Sequence, residues 1–213
     1  MMGFREPVTL EGRYIRLVPL TRAQIPALTL AGKDPEIWQW MPGGYKGTET
    51  AMAQFVDYLE RHQVEGTDLA FTTLLRPDDR PIGMTRYLNI DRPNFNVEVG
   101  GTWLDSMLWR TPVNTESKLL MLGHAFEAEG CQRVQIKTDI RNVRSLRAIE
   151  RLGAQKEGIL RRHMLRSDGT FRDSVVYSIV LPEWPVVRRR LEAALERPWT
   201  GPKGPWPDGA ART

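Results

Sequence analysis

The sequence predicts a mixed α/β fold: a mostly antiparallel twisted sheet with one central parallel strand pair and helices on its flanks. Three observations predict it. The stretch from Asn94 to Gly153 runs strand, turn, helix, strand, helix, an order and length that imply a parallel pair with a right-handed crossover. Leu69 to Leu75 and Ile82 to Leu88 read as antiparallel strands joined by the turn Pro77-Asp-Asp-Arg-Pro. Gly158 to Leu165 and Ser174 to Leu181 flank Ser167-Asp-Gly, a strong hairpin signal.

Taken in order, residues 1 to 9 read as a loose lead-in. Tyr14, Arg16 and Val18 alternate with Ile15 and Leu17, giving a first strand. Thr21-Arg-Ala-Gln24 is a capping box, with Ile25 and Leu28 starting a short helical face behind it. Asp34 to Tyr45 is rich in aromatic residues, proline and glycine, and Thr48 then caps a helix that buries Met52, Phe55, Val56 and Leu59. In the central block a strand from Val97 to Leu104 leads through a turn, Met107 to Asn114, into a helix from Thr115 to Glu129. Leu119, Leu122 and Phe126 form the apolar stripe of that helix. From Arg133 to Thr138, Val134 and Ile136 alternate with Gln135 and Lys137, as in a strand. The next helix, entered through Arg141-Asn142, carries Leu146, Ile149 and Leu152 and is capped by Gly153. Pro182 to Leu195 repeats the helical spacing with Trp184, Val187 and Leu191. Glycine, proline and polar residues dominate from Arg197, with Trp199 and Trp206 as exceptions. The expectation is one domain over residues 1–196 and a mobile tail over 197–213.

With 213 residues the chain can bury a full core, and 41% hydrophobic with 26% charged residues is ordinary globular composition. The net charge of +4 is mild and the signs are interspersed, which favours a solvated surface over a nucleic-acid partner. The single cysteine, Cys131, excludes an internal disulfide and has no partner spacing of a nucleophile or metal ligand. His62, His124 and His163 show no metal spacing either, and phosphate-loop, dinucleotide and zinc patterns are missing. These observations argue against kinase, dehydrogenase and metalloprotease chemistry, and no metal is expected. No apolar run approaches membrane-spanning length, so the chain is expected to be soluble and cytoplasmic, with no membrane partner.

Three runs carry a resemblance to a known family: Glu98-Val-Gly-Gly-Thr-Trp-Leu-Asp, Trp109-Arg-Thr-Pro-Val-Asn-Thr-Glu-Ser-Lys-Leu-Leu, and Arg133-Val-Gln-Ile-Lys-Thr-Asp-Ile-Arg-Asn-Val-Arg-Ser-Leu-Arg-Ala-Ile-Glu-Arg-Leu-Gly-Ala. Together they resemble the GNAT superfamily of acetyl-coenzyme A-dependent N-acetyltransferases, most closely its RimJ/RimL branch. Leu10-Glu-Gly-Arg-Tyr-Ile-Arg-Leu-Val-Pro-Leu reads like that branch's opening strand. Glu157-Gly-Ile-Leu-Arg and Arg172-Asp-Ser-Val-Val-Tyr-Ser read like its closing hairpin, so the resemblance covers roughly residues 8 to 185. It implies a GNAT-type sheet whose parallel pair is splayed, acetyl-CoA as cosubstrate and an amine acceptor as partner.

Acetyl-CoA carries a pyrophosphate, which a turn running into a helix N-terminus can hold through free N–H groups and the helix dipole. Here that turn is Arg110, Thr111, Pro112, Val113, Asn114 and Thr115, with Lys118 one turn inside the helix. The family usually places glycines there; Pro112 stands at one such position and removes a donor. Asn142 reads plainly as a helix cap, and by resemblance as a ligand of the pantetheine arm. Ser145, three residues on, is by resemblance near the thioester sulfur, where it would protonate the departing thiolate. Arg144, Arg147 and Arg151 share one side of the helix, either a solvated face or a reach toward the coenzyme phosphates.

Glu98 is the candidate base, because Val97 and Val99 take the opposite, core-facing side of the strand. Gly101 is one residue more than the family pattern holds before its Trp-Leu pair, consistent with a β-bulge. A strand splayed there would free the backbone of Gly101, Thr102, Trp103 and Leu104 for the pantetheine amides and the thioester carbonyl. Trp38, Trp40 and Met41 lie in the region that forms part of the acceptor wall in related enzymes, though core plugs are the plainer reading. The acceptor is a protein N-terminal amine or a small amine, reached by direct attack in a ternary complex. The rival reading is a coenzyme A-binding sensor or scaffold without turnover. A homodimer is left open.

Overall fold

The structure, a computed structural model, describes residues 3–4 and 8–201. Strands β1 (Leu10–Glu11) and β2 (Ile15–Pro19) lead to helices α1 (Ile25–Ala31) and α2 (Glu49–Val64). Strands β3 (Leu69–Leu75), β4 (Arg80–Asp91) and β5 (Asn96–Leu104) then form a meander. Helix α3 (Val113–Gly123), strand β6 (Arg133–Asp139) and helix α4 (Val143–Leu152) make the crossover unit. Strands β7 (Gln155–Leu165) and β8 (Phe171–Val180) and helix α5 (Trp184–Leu195) complete the chain.

The eight strands form one sheet in the order β1-β2-β3-β4-β5-β6-β8-β7, and β5–β6 is its parallel pair. That pair joins at only three positions, Asn96 with Arg133, Val97 with Val134, and Glu98 with Gln135. Beyond Glu98 the two strands run on to Leu104 and Asp139 unpaired with each other, so a cleft opens between them. A bulge on the other side of β5 sharpens the splay. Arg86 pairs with Gly100 and Met84 with Trp103, leaving Gly101 and Thr102 opposite the single residue Thr85. Gly101 takes φ +58°, the left-handed conformation such a bulge needs.

Strand alternation divides the buried residues into two cores. Val97, Val99, Val134, Ile136, Tyr177 and Ile179 face α3, α4 and α5, joining Met121, Leu122, Ile149 and Trp184. Ala70, Met84 and Trp103 face the other way and pack against Leu28, Met52 and Val56 of α1 and α2.

Several boundaries differ from the sequence reading. The expected helix from Thr115 to Glu129 starts at Val113 and ends its regular turns at Gly123, with one π turn, His124–Ala128, continuing it. The final helix starts at Trp184, after a short 3-10 turn, Leu181–Glu183. The lead-in is not loose where it is described: Phe4 is buried edge-on against Tyr87, 4.6 Å between ring centroids, and the Gly3 and Phe4 N–H groups donate to the Glu129 carboxylate. The mobile tail expected from Arg197 does not describe Trp199, which packs edge-on against Tyr14 at 5.4 Å. Sequence periodicity cannot find either contact, because a single aromatic in a polar stretch carries no period. Trp206 lies outside the described residues.

Candidate active site

The cleft between β5 and β6 has α3 and α4 beginning at its mouth. Asn142 caps α4: its Oδ1 accepts from the Ser145 N–H at 3.0 Å, and its Nδ2 meets no acceptor among the described residues. Ser145 and Asn142 are half-buried, and Arg147 is exposed. Arg144, for which the sequence leaves open both a solvated face and a reach toward the coenzyme phosphates, is exposed with its guanidinium over the Trp109 ring at 3.4 Å, while the Trp109 indole N–H donates to the Leu104 carbonyl at 3.2 Å. These contacts tie the far end of β5 to the first turn of α4.

At the N-terminus of α3, Pro112 is itself the cap, and its carbonyl accepts from the Glu116 N–H at 2.9 Å. Proline there withdraws a donor from a position outside the helix, not from its first turn. The Val113 N–H makes a long 3.4 Å contact with Thr111 Oγ1, and no protein acceptor among the described residues meets the N–H groups of Asn114 and Thr115. Two free donors at a helix N-terminus fit an anionic group. Arg110 takes φ +63°, the left-handed region that favours glycine, so the turn keeps the backbone shape glycines would give without the residues. Arg110 is exposed, and its charge is available at that turn.

Lys118 does not turn toward this loop. It is buried under α3, and its Nζ donates to Thr102 Oγ1 at 2.7 Å, with Thr85 Oγ1 a further 2.9 Å on. Burial lowers the ammonium to about 7. Trp38 is also placed differently from an acceptor wall. Its ring is sealed in the second core, 4.9 Å from the Trp103 ring, and its indole N–H donates to the Gly32 carbonyl at 2.7 Å. Met41 leans on the same core, whereas Trp40 is half-buried with the Arg141 guanidinium 5.2 Å over its ring. Trp38 thus meets β5 only through the buried Trp103 ring, and Trp40 meets the Arg141 side chain between β6 and α4. The Trp103 indole N–H is buried without a partner among the described residues, and its backbone pairs with Met84 of β4.

Glu98 occupies the point where the strands part. Its neighbours Val97 and Val99 belong to the first core, so its side chain emerges on the opposite face, at 3% exposure. Three donors converge on one oxygen: Asn89 Nδ2 at 3.0 Å, Gln135 Nε2 at 3.2 Å and Lys137 Nζ at 2.8 Å, all on Oε2. No donor among the described residues reaches Oε1. Beside Oε1 lies Gly100, where an added Cβ would stand 3.3 Å away. Sequence reasoning found Glu98 and the face of Gln135 and Lys137, but not their convergence; Asn89 joins from β4 through a positive φ of 53° that no pattern signals.

The same face continues along β6 and β8. Asp139, 1% exposed, accepts from Arg166 Nε and Nη2 at 2.7 and 3.1 Å and from the Arg141 N–H at 2.9 Å. Burial alone would raise its carboxyl, but the Arg166 guanidinium and the Arg141 amide outweigh that and hold it below the ordinary range. The loop after α1 leans over this face, since a Cβ on Gly44 would meet Ser167 of the β7–β8 turn at 3.4 Å. Cys131 is buried, and burial pushes its thiol up to about 12, which removes it as a nucleophile. Among the described residues there is no group of three or more His, Cys, Asp or Glu side chains that could hold a metal, and no helix is long and apolar enough to cross a membrane.

A parallel pair that parts over a free carboxylate oxygen, beside a helix tip with free amides, is the layout of an acyl-coenzyme A transferase. The family model described as "Acetyltransferase (GNAT) domain" matches residues 15–155, and the chain belongs to that family of acetyltransferases, which use acetyl-CoA. A solved structure from T. thermophilus, assigned as an acetyltransferase, is 38% identical with a TM-score of 0.80 over 89% of this chain and 98% of that one. The GCN5-related N-acetyltransferase from Brucella melitensis is 26% identical with a TM-score of 0.82, covering 96% and 90%. Mycobacterium smegmatis RimJ, solved in complex with CoA-disulfide, shares the fold at 22% identity and a TM-score of 0.73, over 89% and 93% of the two chains.

Proposed function

We propose that this chain transfers an acetyl group from acetyl-CoA to a primary amine by direct attack in a ternary complex, with Glu98 as the proton acceptor. The observation that carries the reading is the asymmetry of the Glu98 carboxylate, three donors on Oε2 and none on Oε1. The donors fix the group, while Oε1 is left to take a proton from the amine, directly or through one water. Bound acetyl-CoA would supply the acyl group and a thiolate leaving group. The Asn114 and Thr115 amides and Arg110 would hold its phosphates, the open edge of β5 from Gly100 to Leu104 its amides, and Asn142 Nδ2 the pantetheine arm. The Ser145 hydroxyl is the candidate proton donor to the thiolate. The burial of Cys131 supports a route without a covalent acetyl-enzyme.

Thiol release on a panel of amines tests the reading. Glu98→Gln is expected to lower kcat/KM by about 10²-fold or more, within the range for loss of a general base, while calorimetric titration with acetyl-CoA is unchanged. A loss of less than threefold removes Glu98 from the mechanism. Intact mass after incubation with acetyl-CoA alone should show no added acetyl group; a stable adduct would replace direct transfer with a two-step route. The RimJ/RimL resemblance favours a protein N-terminal amine as acceptor. The sensor reading rests on Pro112, which withdraws a donor at the cap of α3; coenzyme binding without thiol release on any amine would favour it.

A further inference from the structure

Beyond Glu98 the same face holds a cation that none of these roles uses. Arg172 on β8 alternates with the core-facing Val175, Tyr177 and Ile179, so it shares its face with Glu98, Lys137 and Asp139. It is 7% exposed, yet no carboxylate among the described residues is in ion-pair contact with it. Its one hydrogen bond among the described residues runs from Nε to Ser174 Oγ at 2.8 Å, and Ser174 Oγ also meets His163 Nδ1 at 3.0 Å. Nη1 and Nη2 meet no protein acceptor among the described residues.

The neighbouring charges are already matched. Lys137 closes on Glu98 at 2.8 Å, and Arg166 grips Asp139 with two bonds. Both carboxylates lie within electrostatic reach of Arg172 but are neutralised by closer partners. With the exposed Arg141 also 3.8 Å from Asp139, the cluster carries a surplus of positive charge, part of it on the buried Arg172 guanidinium. Its Nη1 and Nη2 are not among the buried polar atoms that lack a partner, so they reach open space, where an anionic group can complete them. His163, the third member of the Ser174 triangle, also lines a recess of about 700 Å³ with Arg161, Arg162 and Asp173. Arg172 is thus one side chain removed from open surface.

We infer that Arg172 is a specificity residue that receives a carboxylate carried by the acceptor, so the preferred amine bears an anionic group near its nitrogen. The inference rests on the acceptor reaching Glu98 as proposed above. Its planar fork suits bidentate capture of a carboxylate, with Nε already anchored and the outer nitrogens free. A free amino acid and a peptide with an acidic side chain after its N-terminal residue both offer this chemistry.

Binding of matched product analogues tests this without relying on turnover. N-acetylglycine is compared with N-acetylglycinamide, and N-acetyl-Ser-Glu-Ala-amide with N-acetyl-Ser-Gln-Ala-amide, by calorimetry on the full chain with coenzyme A present. At least one pair should bind tenfold or more in favour of the carboxylate, and the pair that does so identifies the source. Arg172→Gln should bring that ratio near one, Arg172→Lys should leave it intermediate, and Glu98→Gln should retain it. Equal binding within both pairs in the wild-type protein overturns the inference, as does a preference that survives in Arg172→Gln. The wild-type ratio decides even if Arg172→Gln fails to fold. A preference retained in Glu98→Gln alongside full transfer activity would sink the base assignment and leave the carboxylate site standing.

Discussion

Two buried glutamates, Glu98 on β5 and Glu116 in the first turn of α3, are almost equally removed from solvent, at 3% and 4% exposure. Glu116 is saturated by backbone. Its Oε1 accepts from the Arg13 N–H at 2.7 Å, and Oε2 from the Tyr14 and Ile15 N–H groups at 2.8 and 2.9 Å. It pins the β1–β2 hairpin to the first turn of α3, and nothing remains for chemistry. Glu98 is held by three side chains on one oxygen and leaves the other open. Burial therefore does not separate the two carboxylates; the distribution of donors between their oxygens does.

The same substitution at both positions should separate the two roles. Glu116→Gln puts an amide nitrogen against backbone N–H donors and removes charge-assisted bonds, at a cost of about 3 kcal/mol or more. For a chain of this size that lowers Tm by roughly 6–12 °C, read by calorimetry, while transfer activity of the folded fraction persists. Glu98→Gln should do the reverse, with activity lost as above and a smaller shift in Tm. If Glu98→Gln proves the more destabilising, the contrast fails.

Lys118 extends the contrast to a buried cation. Its folded pKa of about 7 lies below that of the unfolded chain, near 10.4. Between those values the unfolded state binds more protons, so stability rises with pH through the window and is flat below it. Lys118→Met should remove that slope and stabilise the protein near neutrality by on the order of 3 kcal/mol, seen in denaturant melts at several pH values. A slope unchanged in the variant would show that Lys118 is not its source.

The smallest effect is the most local. Gly100→Ala would set a methyl 3.3 Å from Glu98 Oε1 and 3.1 Å from Leu88 Cδ2. A several-fold fall in kcat with unchanged KM for acetyl-CoA is expected, from crowding of the open oxygen alone. An equal fall in coenzyme affinity would mean that the residue serves the cleft and not the carboxylate.

Legibility from the sequence follows the range of the interaction. Strand alternation around Val97 and Val99 puts Glu98 on the outer face, and Asn142 before an apolar-periodic run gives the α4 cap, because both depend on neighbours a few residues away. Glu116 looks like any first-turn helix acid, since its partners lie about a hundred positions earlier in the chain. Lys118 reads as a phosphate contact because helix position is local, but the direction of its side chain depends on where β5 bulges. Trp38 reads either as a core plug or as part of an acceptor wall for a similar reason: an aromatic in a loop has no period to show which core it fills.

By itself the sequence determined the order of strands and helices, the parallel unit, the bulge at Gly101 and the family, all of which rest on local periodicity, turn chemistry and contiguous motifs. Only the tertiary structure decided which oxygen of Glu98 has no donor and that Arg172 has no ion-pair contact, both among the described residues, and that Arg110 adopts a glycine-like turn. Those facts depend on donors and charges brought from separate strands to one point. A one-dimensional pattern records which residues are present, and electrostatic pairing is settled by which of them end up within about 3 Å of each other.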